Sequence, residues 1–270
     1  MYSIFQILFI FLIILFIILG LIYYHKKENF DTNEESNKKS TIPLNIFQTW
    51  LTSELPKKMA ENVEFVKKQN PEFKYYFYDD IQCRRFIADN YDSDVLDAYD
   101  RLVPGAYKAD LWRYCILYKL GGIYMDIKMR PTNNFKLIDL TMNEHYVKDR
   151  DSPIFFEKGN LGIYNAFMVN YPKNPLLLEC IQSIVNNVNN RYYGYNSLSP
   201  TGPGLLGSLY MKNKSKYNLA DLDMYNNTDG VTIVYKNHIV LEHYPEYRFE
   251  QKQFQTKHYH ELYRDKQIYA

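Results

Sequence analysis

The sequence predicts an α/β fold in which helices flank a mixed, mainly parallel sheet, preceded by one membrane-spanning helix. Three observations lead to this prediction. The first 22 residues are almost wholly apolar, the chain from residue 42 alternates amphipathic helical segments with short apolar strands, and residues 106–129 read as helix, Gly-Gly turn and strand. Ligands of open α/β sheets bind at the carboxyl ends of the strands. The charged residue that ends the strand of this third unit is therefore a candidate for a site.

The N-terminal segment is predicted to be an anchor. Residues 4–22 contain one clearly polar side chain, Gln6, and their number is close to the ~20 that a spanning helix needs. We therefore divide the chain into an anchor at 1–24, a polar stalk at 25–41 and a globular domain at 42–270. Lys26 and Lys27 follow the apolar run and by themselves favour a cytosolic position for the domain.

Composition limits the remaining function classes. The formal net charge of the 270 residues is +1, so no overall field favours nucleic acid as a partner. The three cysteines show neither metal-ligand spacing nor a disulfide framework.

The rest of the pattern predicts the order of elements within the domain. Strands are expected at 42–50, 71–80, 161–170, 231–235 and 239–242, the last two as a hairpin around Lys236-Asn237. Helices are expected at 55–69, 81–90, 94–102, 106–120 and 174–190, with a further short helix after the Gly- and Pro-rich turn at 199–207.

Four charged residues of the segment 106–129 are predicted to share one site. Asp110 and Arg113 lie at i and i+3, on the same face of the predicted helix. Gly121 is a natural helix end, and the strand that follows delivers Asp126. Since side chains alternate along a strand, Lys128 is expected on the same side as Asp126.

This segment resembles the region around the DXD motif of glycosyltransferases with the GT-A (Rossmann-like) fold, and most of all the sugar transferases of glycosyltransferase family 32. The resemblance extends from Lys108 through Asp110 and Arg113 to Gly121-Gly122 and Asp126. Lys128 stands where the family pattern has its second Asp. The opening strand, which ends in Gln48-Thr49-Trp50, resembles the first strand of the same family.

The resemblance implies a sugar transferase that takes a UDP- or GDP-linked donor. It implies that Asp110 binds hydroxyls of the donor sugar, that Arg113 binds the sugar or a phosphate, and that Asp126 contacts ribose, sugar or metal. The strand at 161–170 corresponds to an Asn- and Ala-containing family strand beside the reacting sugar. The Thr201-Gly202-Pro203 turn resembles a family turn before a short helix, which is either a helix start that receives an anion or an ordinary turn. The implied contacts to the nucleotide are Gln48, Thr49, Trp50 and Tyr124.

The family also implies transfer with retention of configuration, which we expect to proceed by front-side attack. The acceptor is expected to be a glycan, a lipid or a protein, and no nucleic acid is involved. Golgi relatives usually have their catalytic part in the lumen, so the resemblance and the two lysines disagree about orientation in the membrane.

Lys128 leaves the metal question open, because a protonated lysine cannot ligate a hard cation such as Mn²⁺ or Mg²⁺. A metal could be held by Asp126 with the tail histidines His258 and His260. Alternatively, Lys128 itself supplies the positive charge at the diphosphate. A third alternative is a weak or dead site, in which case the protein would be a non-catalytic binder of nucleotide sugars or glycans.

Overall fold

Nine strands lie within the part of the chain that the computed structural model describes, residues 41–149, 161–212, 222–227, 230–254 and 256–270, with Gly20. Residues 40–270 form one compact unit. The strands are β1 (Asn45–Trp50), β2 (Lys74–Asp79), β3 (Gly122–Met125), β4 (Met129–Pro131), β5 (His145–Lys148), β6 (Ile163–Asn170), β7 (Leu222–Asn227), β8 (Gly230–Tyr235) and β9 (His238–His243).

The helices agree closely with the predicted order. They are α1 (Lys57–Gln69), α2 (Asp80–Asn90), α3 (Ser93–Arg101), α4 (Gly105–Leu120), α5 (Pro175–Asn189), α6 (Pro203–Lys212), α7 (Tyr247–Gln251) and α8 (Tyr259–Arg264), with a 3₁₀ turn at Leu137–Leu140.

Local signals account for several of these boundaries. Gly121 ends α4 with a φ of +63°, which glycine adopts at no steric cost. The Asn174 side chain accepts hydrogen bonds from two backbone N–H groups at the start of α5, where Pro175 follows. Lys236 and Asn237 both have positive φ between β8 and β9, as a two-residue hairpin turn requires.

The strands form one mixed sheet in the order β2-β1-β3-β6-β5-β7-β8-β9-β4. The expectation of a mainly parallel sheet was wrong. Only β1–β2, β1–β3 and β5–β7 pair in parallel, and the other five described pairings are antiparallel. Helical connections give the parallel pairs β1–β2 and β1–β3 at one end of the sheet, whereas the short β7–β8 and β8–β9 connections allow only antiparallel pairing.

The connection between β3 and β4 requires the sheet to curl. Only Asp126, Ile127 and Lys128 separate the two strands in sequence, yet β3 is third in the sheet order and β4 is last. The far edge of the sheet must therefore return to the end of β3. This brings the β9–β4 pair, with Met129 opposite His243, beside the predicted site.

The polar backbone of this three-residue turn is bonded from several elements. The Gln48 amide donates to the Asp126 carbonyl at 3.3 Å, and the Asn62 amide donates to the Ile127 carbonyl at 3.0 Å. Backbone bonds join Asp126 N–H to the Ala166 carbonyl at 2.8 Å and Tyr244 N–H to the Lys128 carbonyl at 3.0 Å. The turn is thus held by β1, α1, β6 and the segment after β9.

No helix among the described residues is long and apolar enough to cross a membrane. Apart from Gly20, the predicted anchor at 1–24 lies outside the described residues, and so does nearly all of the stalk at 25–41.

A buried carboxylate from the C-terminal part of the chain caps α1. The helix begins after Pro56, which offers no side-chain cap. Glu250 of α7 instead accepts hydrogen bonds from the backbone N–H groups of Lys58 and Met59, at 2.8 and 2.9 Å, and from the Tyr244 hydroxyl at 2.9 Å. An anion at a helix N-terminus satisfies N–H groups that the helix itself leaves open.

Glu250→Gln is expected to lower the free energy of unfolding by about 1–3 kcal/mol, since the amide offers one acceptor where the carboxylate offers two. Denaturant unfolding followed by circular dichroism measures the change. Glu246→Gln, at an exposed position of the same segment, is the matched control and should be close to neutral. Equal stability of wild type and Glu250→Gln would contradict the capping role.

Candidate active site

The four charged residues predicted from the sequence line one cavity of about 270 Å³. Asp110 and Arg113 come from the middle of α4, and Asp126 and Lys128 come from the turn after β3. The walls also include Tyr164 of β6. The chemistry-bearing residues therefore meet where the curled sheet closes against α4.

Their charges alternate in sign. Arg113 lies 3.4 Å from Asp110 and 3.5 Å from Asp126, and the Lys128 Nζ lies 2.7 Å from Asp126 Oδ2. All four side chains are at most one-fifth exposed. Buried charges are tolerated only when they are paired and hydrogen-bonded, and this row of two anions and two cations is internally neutral.

Asp110 is clamped by neutral donors. The Asn165 amide donates to Oδ1 at 2.9 Å and the Thr201 hydroxyl donates to Oδ2 at 2.7 Å. Burial raises the pKa of Asp110, while the Arg113 guanidinium and these two hydrogen bonds oppose that rise. A Cβ at Gly202 would lie 3.1 Å from Asp110 Oδ2, so the Thr201-Gly202 turn packs tightly over this carboxylate.

Of the two carboxylates in the row, Asp126 is the one whose ionised form is more strongly stabilised by its neighbours. Burial alone would raise its pKa, but the Lys128 and Arg113 cations outweigh burial and lower the pKa to about 2. The Tyr124 hydroxyl adds a hydrogen bond to Oδ1 at 2.8 Å. Asp126 is therefore ionised at neutral pH, and both of its oxygens have partners.

Lys128 lies between aromatic rings. Its Nζ is 5.8 Å from the ring centroid of Tyr164 and 5.9 Å from that of Tyr247, within the range of cation–π attraction. Burial opposes its charge, but Asp126 more than compensates and raises the pKa of Lys128. Lys128 reaches the side of Asp126 as predicted, although through a turn, because β3 ends at Met125.

His243 is a cavity residue that sequence reasoning missed. It ends β9, lines the cavity and has its Nε2 3.5 Å from the Tyr164 hydroxyl. Burial, together with the nearby Lys128 ammonium, lowers the pKa of His243 to about 3. Gly230 makes room for the ring, because a Cβ there would lie 2.2 Å from Nδ1. Only the long-range pairing of β9 with β4 brings His243 here, and no local pattern signals it.

The opening strand supports the site from behind. Gln48 is fully buried, and besides holding the Asp126 carbonyl it accepts a hydrogen bond from the Tyr75 hydroxyl at 2.6 Å. Thr49 donates to the Tyr78 carbonyl at 2.7 Å. Trp50 packs edge-on against Phe254 at 5.4 Å. These three predicted nucleotide contacts are not among the cavity walls, whereas the fourth, Tyr124, touches Asp126 directly.

The tail histidines are not brought to Asp126. His258 precedes α8 and its ring accepts a hydrogen bond from the backbone N–H of His260 at 3.3 Å. His260 Nδ1 contacts the Ser197 hydroxyl at 2.5 Å. The residue between them, Tyr259, is the one that lines the cavity, and it begins the helix α8.

The described residues do not fit a divalent cation in this arrangement. No group of three or more His, Cys, Asp and Glu side chains in the described part of the chain is placed to hold a metal ion. The position that would supply the second carboxylate is an ammonium, and it occupies Asp126 at 2.7 Å. The donor set is therefore that of an ion-pair network.

Comparison with known proteins assigns the matched region to a family. Residues 56–147 match the family described as a glycosyltransferase sugar-binding region containing a DXD motif, and this stretch holds all four residues of the charged row. The predicted resemblance to DXD-type glycosyltransferases is confirmed for this region of the chain.

The chain is similar in sequence to characterised proteins of two yeasts. Inositol phosphoceramide mannosyltransferase 3 of Schizosaccharomyces pombe is 32% identical over 176 residues, 65% of this chain and 46% of that protein. The initiation-specific alpha-1,6-mannosyltransferase of Candida albicans is 34% identical over 97 residues, 34% of this chain and 25% of that protein. The chain thus spans less than half the length of these relatives.

The fold agrees with a solved glycosyltransferase. The structure of PaToxG glycosyltransferase superposes with a TM-score of 0.51 at 17% identity, over 71% of this chain and 79% of that chain. The predicted glycosyltransferase-type α/β fold is confirmed at this level, with a curled sheet in place of a mainly parallel one.

A pH dependence follows from His243. The unfolded chain binds a proton at this histidine near pH 6.5, but the folded chain does so only near pH 3. The stabilising contribution is therefore complete above pH 6.5 and is lost as the pH falls toward 3. Between pH 7 and pH 5, wild type should lose about 1–2 kcal/mol more stability than His243→Asn.

Denaturant unfolding at a series of pH values measures this difference. His238→Asn, which changes an exposed histidine of the same strand, should keep the wild-type pH profile. An unchanged profile in His243→Asn would show that the folded protein protonates His243 as easily as the unfolded chain does.

Proposed function

We propose that this protein is a glycosyltransferase that moves a sugar from a nucleoside-diphosphate sugar to a glycan, lipid or protein acceptor. One observation carries the proposal: Asp110, Arg113, Asp126 and Lys128 line a single cavity inside the region that matches the glycosyltransferase family. The two relatives named above are mannosyltransferases by name, and a GDP- or UDP-linked hexose, mannose first, is the donor to test.

The clamped carboxylate suits sugar recognition. Asn165 and Thr201 fix Asp110, so its orientation is set before the donor arrives. A carboxylate held in this way can accept hydrogen bonds from sugar hydroxyls with little loss of side-chain entropy. Arg113, which stacks over the Tyr124 ring at 4.5 Å, can turn donors toward the sugar or the phosphate from a preorganised position.

Lys128 supplies the positive charge at the leaving group. Negative charge develops on the diphosphate as the glycosidic bond breaks, and a cation placed there stabilises the transition state. The Lys128 ammonium is permanently charged and held at the cavity by Asp126. A diphosphate that enters would compete with Asp126 for this cation. Lys128 would then neutralise part of the charge on the leaving group, which a metal ion does in other transferases of this type.

The stereochemical course is proposed to be retention by front-side attack. The acceptor hydroxyl would approach on the face from which the diphosphate departs, and its proton would pass to a leaving phosphate oxygen. Asp110 and Asp126 are both held by hydrogen bonds, which supports front-side attack over a covalent step through either carboxylate. The coupling constant of the anomeric proton in the product tests this course.

The domain organisation completes the proposal. Residues 1–24 would anchor the chain in a membrane, 25–41 would act as a polar stalk, and 42–270 would form the transferase domain. The apolar composition of residues 4–22 supports the anchor. Retention of the full chain in membranes after alkaline carbonate extraction, and its release when residues 1–24 are deleted, would be the expected result.

A non-catalytic binding protein is the second candidate. It is favoured by the ion pair between Asp126 and Lys128, which compensates the charge of the Asp126 carboxylate. A panel of GDP- and UDP-hexoses separates the two. The enzyme releases nucleoside diphosphate from at least one donor, whereas a binding protein binds a donor and leaves it intact.

Asp126→Asn is expected to reduce release of the nucleotide by at least about 100-fold, because an electrostatic contact at the reacting centre is lost. Asp97→Asn, at a side chain that is 59% exposed, is the control. Circular dichroism confirms that both variants fold. Wild-type turnover in folded Asp126→Asn would remove Asp126 from the mechanism.

Lys128 and a metal can be distinguished by chelation. We expect EDTA to leave most of the activity, and Lys128→Ala to lose about 100-fold or more of it, with the exposed Lys119→Ala as control. Lys128→Asp should shift the enzyme toward a need for Mn²⁺. Complete loss in EDTA, with Lys128→Ala near wild type, would defeat the lysine-as-cation proposal.

A further inference from the structure

A second cavity lies on the other side of the loop that covers Asp110. Its volume is about 230 Å³, below the ~300 Å³ at which pockets for drug-sized ligands begin. It opens between α5, α6 and the segment 192–199. Its walls include Asn187, Tyr192, Tyr195, Asn196, Ser208 and Lys212.

The two cavities share a wall. Ser197, Leu198 and Gly202 line the cavity of the charged row. Asn196, Ser199 and Gly204, their neighbours in sequence, line the second cavity. The segment 196–204 therefore contributes to the walls of both cavities.

The segment that carries the tyrosines is fixed in place by the C-terminus. The Arg191 guanidinium donates to the Tyr269 carbonyl at 3.1 Å, and the Tyr263 hydroxyl donates to the Gly194 carbonyl at 3.3 Å. The Tyr269 hydroxyl also donates to the Tyr192 carbonyl. A binding surface that is already ordered loses less entropy when a ligand arrives.

The same rigid segment exposes two large rings. Tyr195 is 63% exposed and Tyr192 is 43% exposed, beside amide and hydroxyl side chains. Among the described residues of the lining there is no carboxylate and one cation, Lys212. Sugar rings combine apolar C–H faces with hydroxyl groups at their edges, and a concave site with exposed tyrosines and amides provides partners for both.

We propose that this second cavity binds a hexose unit of the acceptor, so that the acceptor of this transferase is a saccharide or carries one. The word acceptor rests on the proposed function, because only a transferase has an acceptor. The binding of a hexose in the second cavity does not depend on turnover. Tyr195 stacks on the sugar face, and Asn187 and Ser208 contact its hydroxyls. Tyr195 is thus a specificity residue outside the charged row.

Saturation-transfer NMR on the full chain tests the binding directly. The protein is held in a detergent without a sugar head group, and the probes are the methyl α-glycosides of mannose, glucose and galactose. At least one probe should show transfer with wild type, and its Kd should rise about 3- to 10-fold in Tyr195→Ala, as expected for loss of one aromatic contact. Tyr225→Ala, at a tyrosine of β7 that is 54% exposed, should match wild type.

Ser183→Trp, which fills the second cavity from α5, provides an independent variant with the same expected loss. Absence of transfer from all three probes, or the same Kd in wild type, Tyr195→Ala and Ser183→Trp, would overturn the proposal.

A turnover assay separates this proposal from the proposed function. Nucleotide release without acceptor should be unchanged in Tyr195→Ala, while the KM for a saccharide acceptor rises. If wild type releases no nucleotide from any donor but the hexoside binds through Tyr195, the proposed function fails and the hexose site stands. If wild type releases nucleotide and the Tyr195→Ala variant binds the hexoside as wild type does, the proposed function stands and the hexose site fails.

Discussion

The three-residue connection from β3 to β4 is the constraint on which the rest of the structure depends. Asp126, Ile127 and Lys128 must join strands that stand third and last in the sheet order, so the sheet has to curl until its β4 edge reaches the end of β3. The carbonyl of Asp126 is held by Gln48 and that of Ile127 by Asn62. A turn whose backbone is satisfied in this way can present a carboxylate and an ammonium in a fixed orientation.

The charged row follows from that closure. α4 contributes one anion and one cation, the turn contributes one of each, and the four alternate through contacts of 2.7–3.5 Å. In a buried setting, removal of one member leaves its neighbours without compensation. An anionic ligand can instead replace the carboxylate of Asp126 as the partner of the two cations. The ion pairs that stabilise the empty cavity are therefore the same ones that allow it to bind an anion.

The part of the chain after residue 147 completes a site that the matched family region only begins. Residues 56–147 hold the charged row, but Tyr164, His243 and Tyr247, which surround Lys128, come from later elements. Glu250 ties this later part to the start of α1. The same C-terminal part also fixes the segment with Tyr192 and Tyr195, and so orders the walls of both cavities.

The sequence by itself determined those features that depend on neighbours along the chain. The Gly121 helix end, the Asn174 cap, the Lys236-Asn237 hairpin and the pairing of Asp110 with Arg113 follow from local backbone preferences and helical spacing. The family pattern added Asp126, and it placed the strand at 161–170 beside the reacting sugar.

The tertiary structure alone decided what depends on distant pairing. The β4–β9 ladder joins Met129 to His243, more than a hundred residues apart in sequence, and it placed a histidine where no motif announced one. Gln48 is buried under the turn and donates a hydrogen bond to the carbonyl of Asp126. The helical tail places Tyr259, rather than His258 and His260, at the cavity. Strand order and register arise from packing and loop closure over the whole chain, and residue types at local spacing contain little information about either.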